Sequence, residues 1–408
     1  MIDLIGPDHE LYDVLRVPAQ WSFRDVRPTA IARCSSVDDV VEALAYARNS
    51  GLHVVPRGGG HCFAGRSSTD GLVLDLGGLN SVDVGSDGLA TIGAGARLAA
   101  VYQGLHSHGL TIPAGCGPTV GIAGLTLGGG LGLLGRRYGL TCDRLVAATV
   151  VLADGRVIIC DEKHDPDLFW ALRGAGGGQF GIVTALVFDP VPSPAATRFA
   201  VSWPASEAAE VIAAWQEWAP DAVDDLTASL AVTPAEVRVF GAALRPPAET
   251  ADLLADLPGG DLDLRDGLSW PELKDSLVGP EGDPTAISKS EFFQRALPAD
   301  VVTGLLAQGC ELNFTPLGGA YNRVPADATA FVHRGERFVL EHLGTDREQV
   351  RRSWTIAHPH ASGRVYPNFP DPDLTDWVEA YHGPNHARLA AIRQHYDPER
   401  VFHFPQSL

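Results

Sequence analysis

The stretch Pro56-Arg57-Gly58-Gly59-Gly60-His61-Cys62-Phe63-Ala64-Gly65 constrains this chain more than any other. Three consecutive glycines follow an apolar, strand-like pair, Val54 and Val55, and end on a histidine. Glycine lacks a Cβ, so it accepts positive φ and lets backbone lie close against a bulky group. Successive N–H groups in such a turn form a concave anion site. The imidazole is then delivered to whatever lies over that anion. The pattern suits a loop that grips a dinucleotide diphosphate and sets a nucleophilic imidazole beside its ring system. A plain turn with a structural histidine satisfies the same residues, so the rest of the chain must decide.

A chain of 408 residues is long enough for about two or three domains. Hydrophobic side chains make up 45%, enough for sizeable cores. The net charge of −19 disfavours nucleic acid and anionic membranes as partners, since both reward Lys and Arg. No run reaches the ~18 apolar residues of a membrane helix. The residues from Met1 to Asp8 lack the basic and long apolar regions of a secretory leader. Cys34, Cys62, Cys116, Cys142, Cys160 and Cys310 are scattered without a CxxC pair, unlike a disulfide framework or zinc site. A reducing, cytoplasmic setting is the expectation. The 45 glycines concentrate in three places, which points to a ligand rather than general flexibility.

Ser36 to Arg48 reads as a helix, with Ser36 as N-cap, Asp39 three positions on, and Val40, Leu44 and Ala47 at helical spacing. Strands are expected at His53–Val55, Leu72–Leu76 and Leu89–Ala94, and a helix at Leu98–His108. Asp154-Gly155 between the apolar runs Leu145–Leu152 and Arg156–Cys160 marks a hairpin. Asp165-Pro166 opens a helix through Leu172, with the aspartate as cap. Phe180–Phe188 is a strand after a second glycine loop, Gly174–Gly178. Pro190-Val191-Pro192-Ser193-Pro194 is stiff and poor in donors, and suits a domain boundary. Beyond it, helices (Ser206–Trp218, Pro298–Gln308) mix with strands (Glu236–Leu244, Ala328–His333).

The longest glycine-rich segment runs from Pro113 through Gly132, where backbone can pack flat against a planar ligand. It contains a literal GxGxxG at Gly130, Gly132 and Gly135. A nicotinamide fold is rejected, because the motif neither follows a strand nor opens the helix of a βαβ unit.

The order of these parts closely resembles the berberine bridge enzyme-like flavin oxidases of the vanillyl-alcohol oxidase superfamily. The carriers are Arg-Gly-Gly-Gly-His near residue 60, Pro118-Thr119-Val120-Gly121 with its glycines, and Leu168-Phe169-Trp170-Ala171-Leu172-Arg173-Gly174. Tyr366-Pro367-Asn368-Phe369-Pro370-Asp371 and the ending from Tyr396-Asp397-Pro398 to Pro405-Gln406-Ser407 complete the set. The resemblance covers nearly the whole chain, from about residue 20 to 408. It implies an α+β fold: a two-part FAD-binding domain at 1–192, and a substrate domain on a helix-covered antiparallel sheet at 193–360. A C-terminal segment at 361–408 returns to the flavin. It also implies FAD bonded through His61 to the flavin 8α-methyl, and cofactor contacts from Arg57, Gly58, Gly59, Gly60, Gly65, Thr119, Val120, Gly121, Gly124, Gly128, Gly129, Gly181, Ile182, Tyr366, Asn368 and Asn385.

Many relatives carry a second bond, from flavin C6 to a cysteine immediately before Pro-Thr-Val. Here Gly117 holds that place and Cys116 stands one residue earlier, so the second link through Cys116 is an open alternative. The family reaction takes a hydride from a C–H beside an alcohol or amine. Its usual base is the second tyrosine of Tyr-x-Asn-Tyr, where this chain has Phe369. Tyr366 is the first choice for an active-site hydroxyl, with Tyr321 and Tyr381 behind it and a packing role for Tyr366 equally open. His382 and His386 stand four apart, but Pro384 interrupts any shared helical face, and no metal is expected there or at His358-Pro359-His360. The resulting expectation is an oxidase that acts on a small sugar-like or secondary-metabolite substrate and passes electrons to O2. A dehydrogenase with another acceptor, a non-redox nucleotide-binding module and a metal-dependent hydrolase are the competing readings.

Overall fold

The computed structural model describes residues 2–278 and 285–408. Three sheets organise the chain. In the first, Asp3–Ile5, Ala30–Arg33, Leu72–Asp75 and Val54–Arg57 lie side by side, the last three running parallel. Parallel strands need crossover connections, and the helix Val37–Asn49 carries the chain from Ala30–Arg33 over to Val54–Arg57, leaving the place between them for Leu72–Asp75. That helix starts where Ser36 and Asp39 form a reciprocal capping box, Asp39 N donating to Ser36 Oγ at 3.2 Å and Ser36 N donating to the Asp39 carboxylate at 2.9 Å. Val40, Ala43, Leu44 and Ala47 form its buried stripe.

The second sheet is antiparallel, in the order Val82–Val84, Ala90–Gly93, Ile182–Phe188, Leu145–Val151 and Val157–Cys160. Its last pair is the expected hairpin, with Gly155 at φ 86° in the turn. The third sheet has seven antiparallel strands: Asp261–Arg265, Thr197–Pro204, Glu236–Ala243, Leu226–Val232, Glu311–Pro316, Phe338–Gly344 and Ile287–Phe293. One face packs on the helices Ala208–Trp218, Ala299–Leu306 and Arg347–Ala357 through Trp215, Val302, Leu305, Val350, Leu230 and Phe314. Because side chains alternate along a strand, the other face presents Thr227, Ser229, Phe240 and Thr315 to the rest of the molecule.

The C-terminal segment closes the molecule. Leu408 N donates to Gln179 Oε1 at 2.8 Å, and Gln406 Nε2 donates to Asp371 O and Leu374 O at 2.9 and 3.1 Å. Among the described residues, no helix is long and apolar enough to cross a membrane.

Two local expectations need correction. Asp165 does not cap the helix Pro166–Ala175: it sits at φ 48° and its carboxylate accepts instead from the Tyr396 phenol at 2.7 Å. Ala328–His333 is not a strand. Its amides at Ala330 and Phe331 donate to Trp170 O and Arg173 O, so a helix end replaces a sheet neighbour. Within the stiff segment Pro190–Pro194, Val191–Pro192 pairs with Leu110–Thr111.

Candidate active site

A cavity of ≈ 550 Å³ has walls from all three of these sheets, including Pro56 from the first, Val183 from the second, and Thr227, Ser229, Phe240 and Thr315 from the third. Two glycine loops form one side. A Cβ at Gly59 would stand 2.3 Å from Gly121 N, so the loops touch backbone to backbone. Gly60 takes φ +72° and turns the chain toward His61. Among the described residues, the consecutive amides of Gly59, Gly60, His61, Cys62 and Phe63 donate to no acceptor in the protein. Such a row of free N–H groups is a ready anion cradle.

His61 stands in the middle of this row and lines the cavity. Its Nε2 lies 3.0 Å from Thr119 Oγ1, which engages that nitrogen and leaves Nδ1 for other chemistry. Burial holds the imidazole below the usual histidine range, and the Arg97 charge adds to this against a bond with Thr119. The ring is therefore neutral and nucleophilic at neutral pH. Arg66 lines the same cavity, with its guanidinium 4.4 Å from the Phe404 ring centre and no carboxylate partner among the described residues. Cys116 and Gly117 lie on the opposite loop. Glycine surfaces, an anion cradle, an unpaired guanidinium and a neutral imidazole together fit a flavin dinucleotide.

The remaining wall is mostly apolar. Phe63 and Phe369 meet edge to face at 6.0 Å, and Phe369 meets Tyr366 at 5.0 Å. Opposite them, Thr227, Ser229 and Thr315 bring hydroxyls, and Thr227 Oγ1 is buried without a partner among the described residues. The Tyr366 hydroxyl accepts from Gly130 N at 3.2 Å, Leu131 N at 3.0 Å and Asn368 Nδ2 at 3.0 Å. Burial pushes its pKa up to about 12, although these bonds oppose the rise. Its segment is held by Lys289, whose ammonium reaches both Asp371 oxygens at 2.7 and 2.8 Å.

The cavity gathers Gly58, Gly59, Gly60, His61, Cys116, Val120, Gly121, Gly124, Gly181, Tyr366 and Asn368. Other expected site residues stand elsewhere. The Tyr321 phenol is spent on Gly132, donating to its carbonyl at 2.7 Å and accepting from its amide at 3.0 Å. The Tyr381 hydroxyl accepts from Asp371 N at 2.8 Å and faces a small side cavity that Gly128 also lines. Neither phenol reaches the main cavity. Arg57 is turned into the fold, donating to Leu15 O, Arg16 O and Ser67 O. Gly65 abuts the Phe23 ring, Gly129 abuts Phe331, and Ile182 is fully buried in its sheet. Asn385 donates to the carbonyls of Ala326, Thr329 and Ala330, bracing the irregular stretch before His333. Thr119 acts through His61 rather than as lining.

The helix Trp377–His382 stops before Pro384 and a new one begins at His386, so the two histidines share no face. His358 is paired at 2.6 Å with the buried Glu291. Among the described residues, no group of three or more His, Cys, Asp or Glu is placed to hold a metal. All six cysteines are unpaired.

Arg66, Phe63, Thr227, Ser229, Phe240 and Thr315 join the site without having been singled out by sequence. Strand alternation marks Thr227 and Ser229 as facing away from Leu226, Ala228 and Leu230, but what they face is a tertiary fact.

Fold and site define a flavin-binding oxidoreductase. A family model described as an FAD binding domain matches residues 28–161, and one described as berberine and berberine like matches 365–408. The FAD-linked oxidoreductase YgaK of Bacillus subtilis (strain 168) is 35% identical over 413 residues, covering 93% of this chain and 91% of that one. The structure of Physcomitrella patens BBE-like 1 superposes with a TM-score of 0.92 at 26% identity, covering 100% and 96% of the two chains. A structure of glucooligosaccharide oxidase from Acremonium strictum, described as carrying 6-S-cysteinyl, 8α-N1-histidyl FAD, gives a TM-score of 0.88 at 25% identity, with 100% and 96% coverage. The chain belongs to the berberine bridge enzyme-like family of FAD-linked oxidoreductases, and it is an enzyme.

Proposed function

We propose that the protein is an oxidase whose FAD is tethered through His61, and that it acts on a C–H beside an alcohol or amine of a small sugar-like or secondary-metabolite substrate. The observation that carries this reading is the neutral, half-buried imidazole in the middle of five unpaired amides, facing a glycine-walled cavity. The glucooligosaccharide oxidase named above, whose flavin is held by a histidine and a cysteine, supports it. When bound, the isoalloxazine supplies the hydride acceptor and hands electrons on to O2.

The chain's own groups do the rest. The free amides from Gly59 to Phe63 and the Arg66 guanidinium meet the anionic part of the dinucleotide. Thr119 holds the His61 ring in place. Phe63, Phe240 and Phe369 keep water from the reacting carbon, and the Thr227, Ser229 and Thr315 hydroxyls orient the substrate. Phe369 brings no hydroxyl to the position where relatives keep a base. The reading therefore favours a compact substrate that needs little help in losing its proton, with a neutral amine or an activated alcohol ahead of an oligosaccharide.

The test is acid precipitation of protein made in a riboflavin-replete host. The pellet stays yellow and a flavin peptide maps to His61, while His61→Ala releases its flavin to the supernatant. Colourless folded protein, or flavin freed from the wild-type chain, overturns the reading. Anaerobic bleaching by alcohols, sugars and cyclic amines then ranks substrates, and oxygen uptake separates an oxidase from a dehydrogenase.

A further inference from the structure

One wall of the cavity is a single stretch of chain: Tyr366, Pro367, Asn368, Phe369 and Pro370 all line it. Both ends of this stretch stand on the strand Ile287–Phe293, at the edge of the seven-stranded sheet. At one end Phe292 N donates to Arg364 O at 2.9 Å. At the other, the Lys289 ammonium meets both Asp371 oxygens at 2.7 and 2.8 Å, and Asp373 at 3.1 Å. Between these two feet Ser290 Oγ reaches Phe369 O at 3.5 Å. The stretch is therefore an arch, and its crown rests on the glycine-rich segment 125–131. Asn368 Nδ2 donates to Leu125 O at 2.9 Å, and a Cβ on Gly128 would stand 2.2 Å from Asn368 Oδ1. The Tyr366 hydroxyl takes the Gly130 and Leu131 amides.

The foot at Phe292 is a backbone bond that any residue can make. The foot at Lys289 depends on a side chain. Lys289 is 4% exposed and Asp371 2%, so the pair is buried. Desolvation consumes most of the attraction between buried charges, yet separating them is costly. Such a pair adds little stability but fixes where a segment lies. The ammonium is itself placed by the Trp354 ring, 5.3 Å away on the helix Arg347–Ala357. Asp371 N donates to the Tyr381 hydroxyl at 2.8 Å, so the same residue also meets the helix Trp377–His382.

We propose that Lys289 is a positioning residue: through Asp371 it sets the arch, and through the arch it sets how the Tyr366 phenol and the Phe369 ring stand across the cavity. Lys289 does not line the cavity, so it acts only through these neighbours. That substrate and flavin occupy the space rests on the function proposed above. The coupling from Lys289 to Gly130 and Leu131 is a property of the chain alone.

Amide hydrogen exchange on the purified full chain, resolved by fragmentation mass spectrometry, tests this. Lys289→Met removes the charge and keeps the stem, whereas Lys289→Arg keeps a charge that can fork onto both carboxylate oxygens. Thermal midpoints show that each variant folds, and Asp371→Asn breaks the same pair from the other side if Lys289→Met does not. In Lys289→Met the Phe369, Asp371, Gly130 and Leu131 amides exchange at least about tenfold faster than in the wild type, the loss of roughly one hydrogen bond. Amides of the strand Leu226–Val232 keep their rates, and Lys289→Arg returns Gly130 and Leu131 toward wild-type protection. Faster exchange confined to Asp371, or spread evenly over the chain, overturns the proposal. So does a Lys289→Arg protein that exchanges at Gly130 and Leu131 as fast as Lys289→Met. Colourless protein would defeat the proposed function and leave this comparison intact.

Discussion

The protonation of one hydroxyl decides what it can offer a substrate. Tyr366 accepts three N–H bonds, and the described residues offer its own proton no acceptor. With burial lifting its pKa to about 12, the phenol is protonated at neutral pH. It can therefore donate into the cavity but not draw a proton from it. Tyr366→Phe removes the hydrogen bond that the phenol would offer a substrate heteroatom and leaves the Gly130 and Leu131 amides short of a partner. We predict a loss of roughly 10–100-fold in kcat/KM, matching the ~1.5–3 kcal/mol of such a bond. The pH profile between about 6 and 9 keeps its shape, since no titrating base has been removed. A limb of the profile that disappears in the variant would instead make Tyr366 the base.

Strands carry the next lesson, because burial along them sets protonation. Phe338–Gly344 places Glu341 inside the molecule, 2.6 Å from Ser288 Oγ on the neighbouring strand. Burial raises its pKa to about 7, with Glu311 adding to the rise and the Ser288 bond opposing it. Between the ordinary carboxyl value and 7, the folded chain therefore holds a proton that the unfolded chain releases. Stability falls as pH climbs through that window and stays reduced above it. Glu341→Gln carries no charge at any pH. It should match the wild type near pH 4 and exceed it at pH 8 by on the order of 2 kcal/mol, read as thermal midpoint against pH. Identical pH dependence in the two proteins would rule this out. Elements like these were legible to different degrees. The helix Val37–Asn49 was plain because its capping box and apolar stripe are local. The hairpin at Gly155 was plain because Asp-Gly fixes the turn. Ala328–His333 looked like a strand because its pattern is apolar, yet its backbone partners come from a helix end. Asp165 has the chemistry of a cap, but Tyr396, far along the chain, claims its carboxylate. Arg66 carried no signal, since an unpaired charge exists only once the surrounding fold is known.

Across the whole molecule, one cavity draws residues from Pro56 to Pro370 and touches the three larger sheets. Charged side chains are among the groups that tie the parts around it. Arg334 pairs with Asp143 at 2.6 Å, Lys274 reaches Ala114 and Gly115, and Arg136 donates to Pro220, Leu317 and Ala222 carbonyls. A ligand filling the space between them stabilises the assembled form, because it binds little to the unfolded chain. Stabilisation then grows as RT ln(1 + [L]/Kd), about 1.4 kcal/mol for each tenfold excess of ligand. The proposed tether at His61 would remove that dependence by making the cofactor part of the chain. We therefore predict that the wild-type melting temperature ignores added FAD, while His61→Ala melts lower without it and climbs steadily as FAD is raised. Limited proteolysis of cofactor-depleted His61→Ala should open cuts that FAD suppresses over the same concentration range. A variant that binds FAD, seen by quenching of flavin fluorescence, yet melts at one temperature throughout would mean that the cavity is preformed by protein contacts alone. In that case Arg136, Lys274 and Arg334 would hold the three sheets together without help from the cofactor.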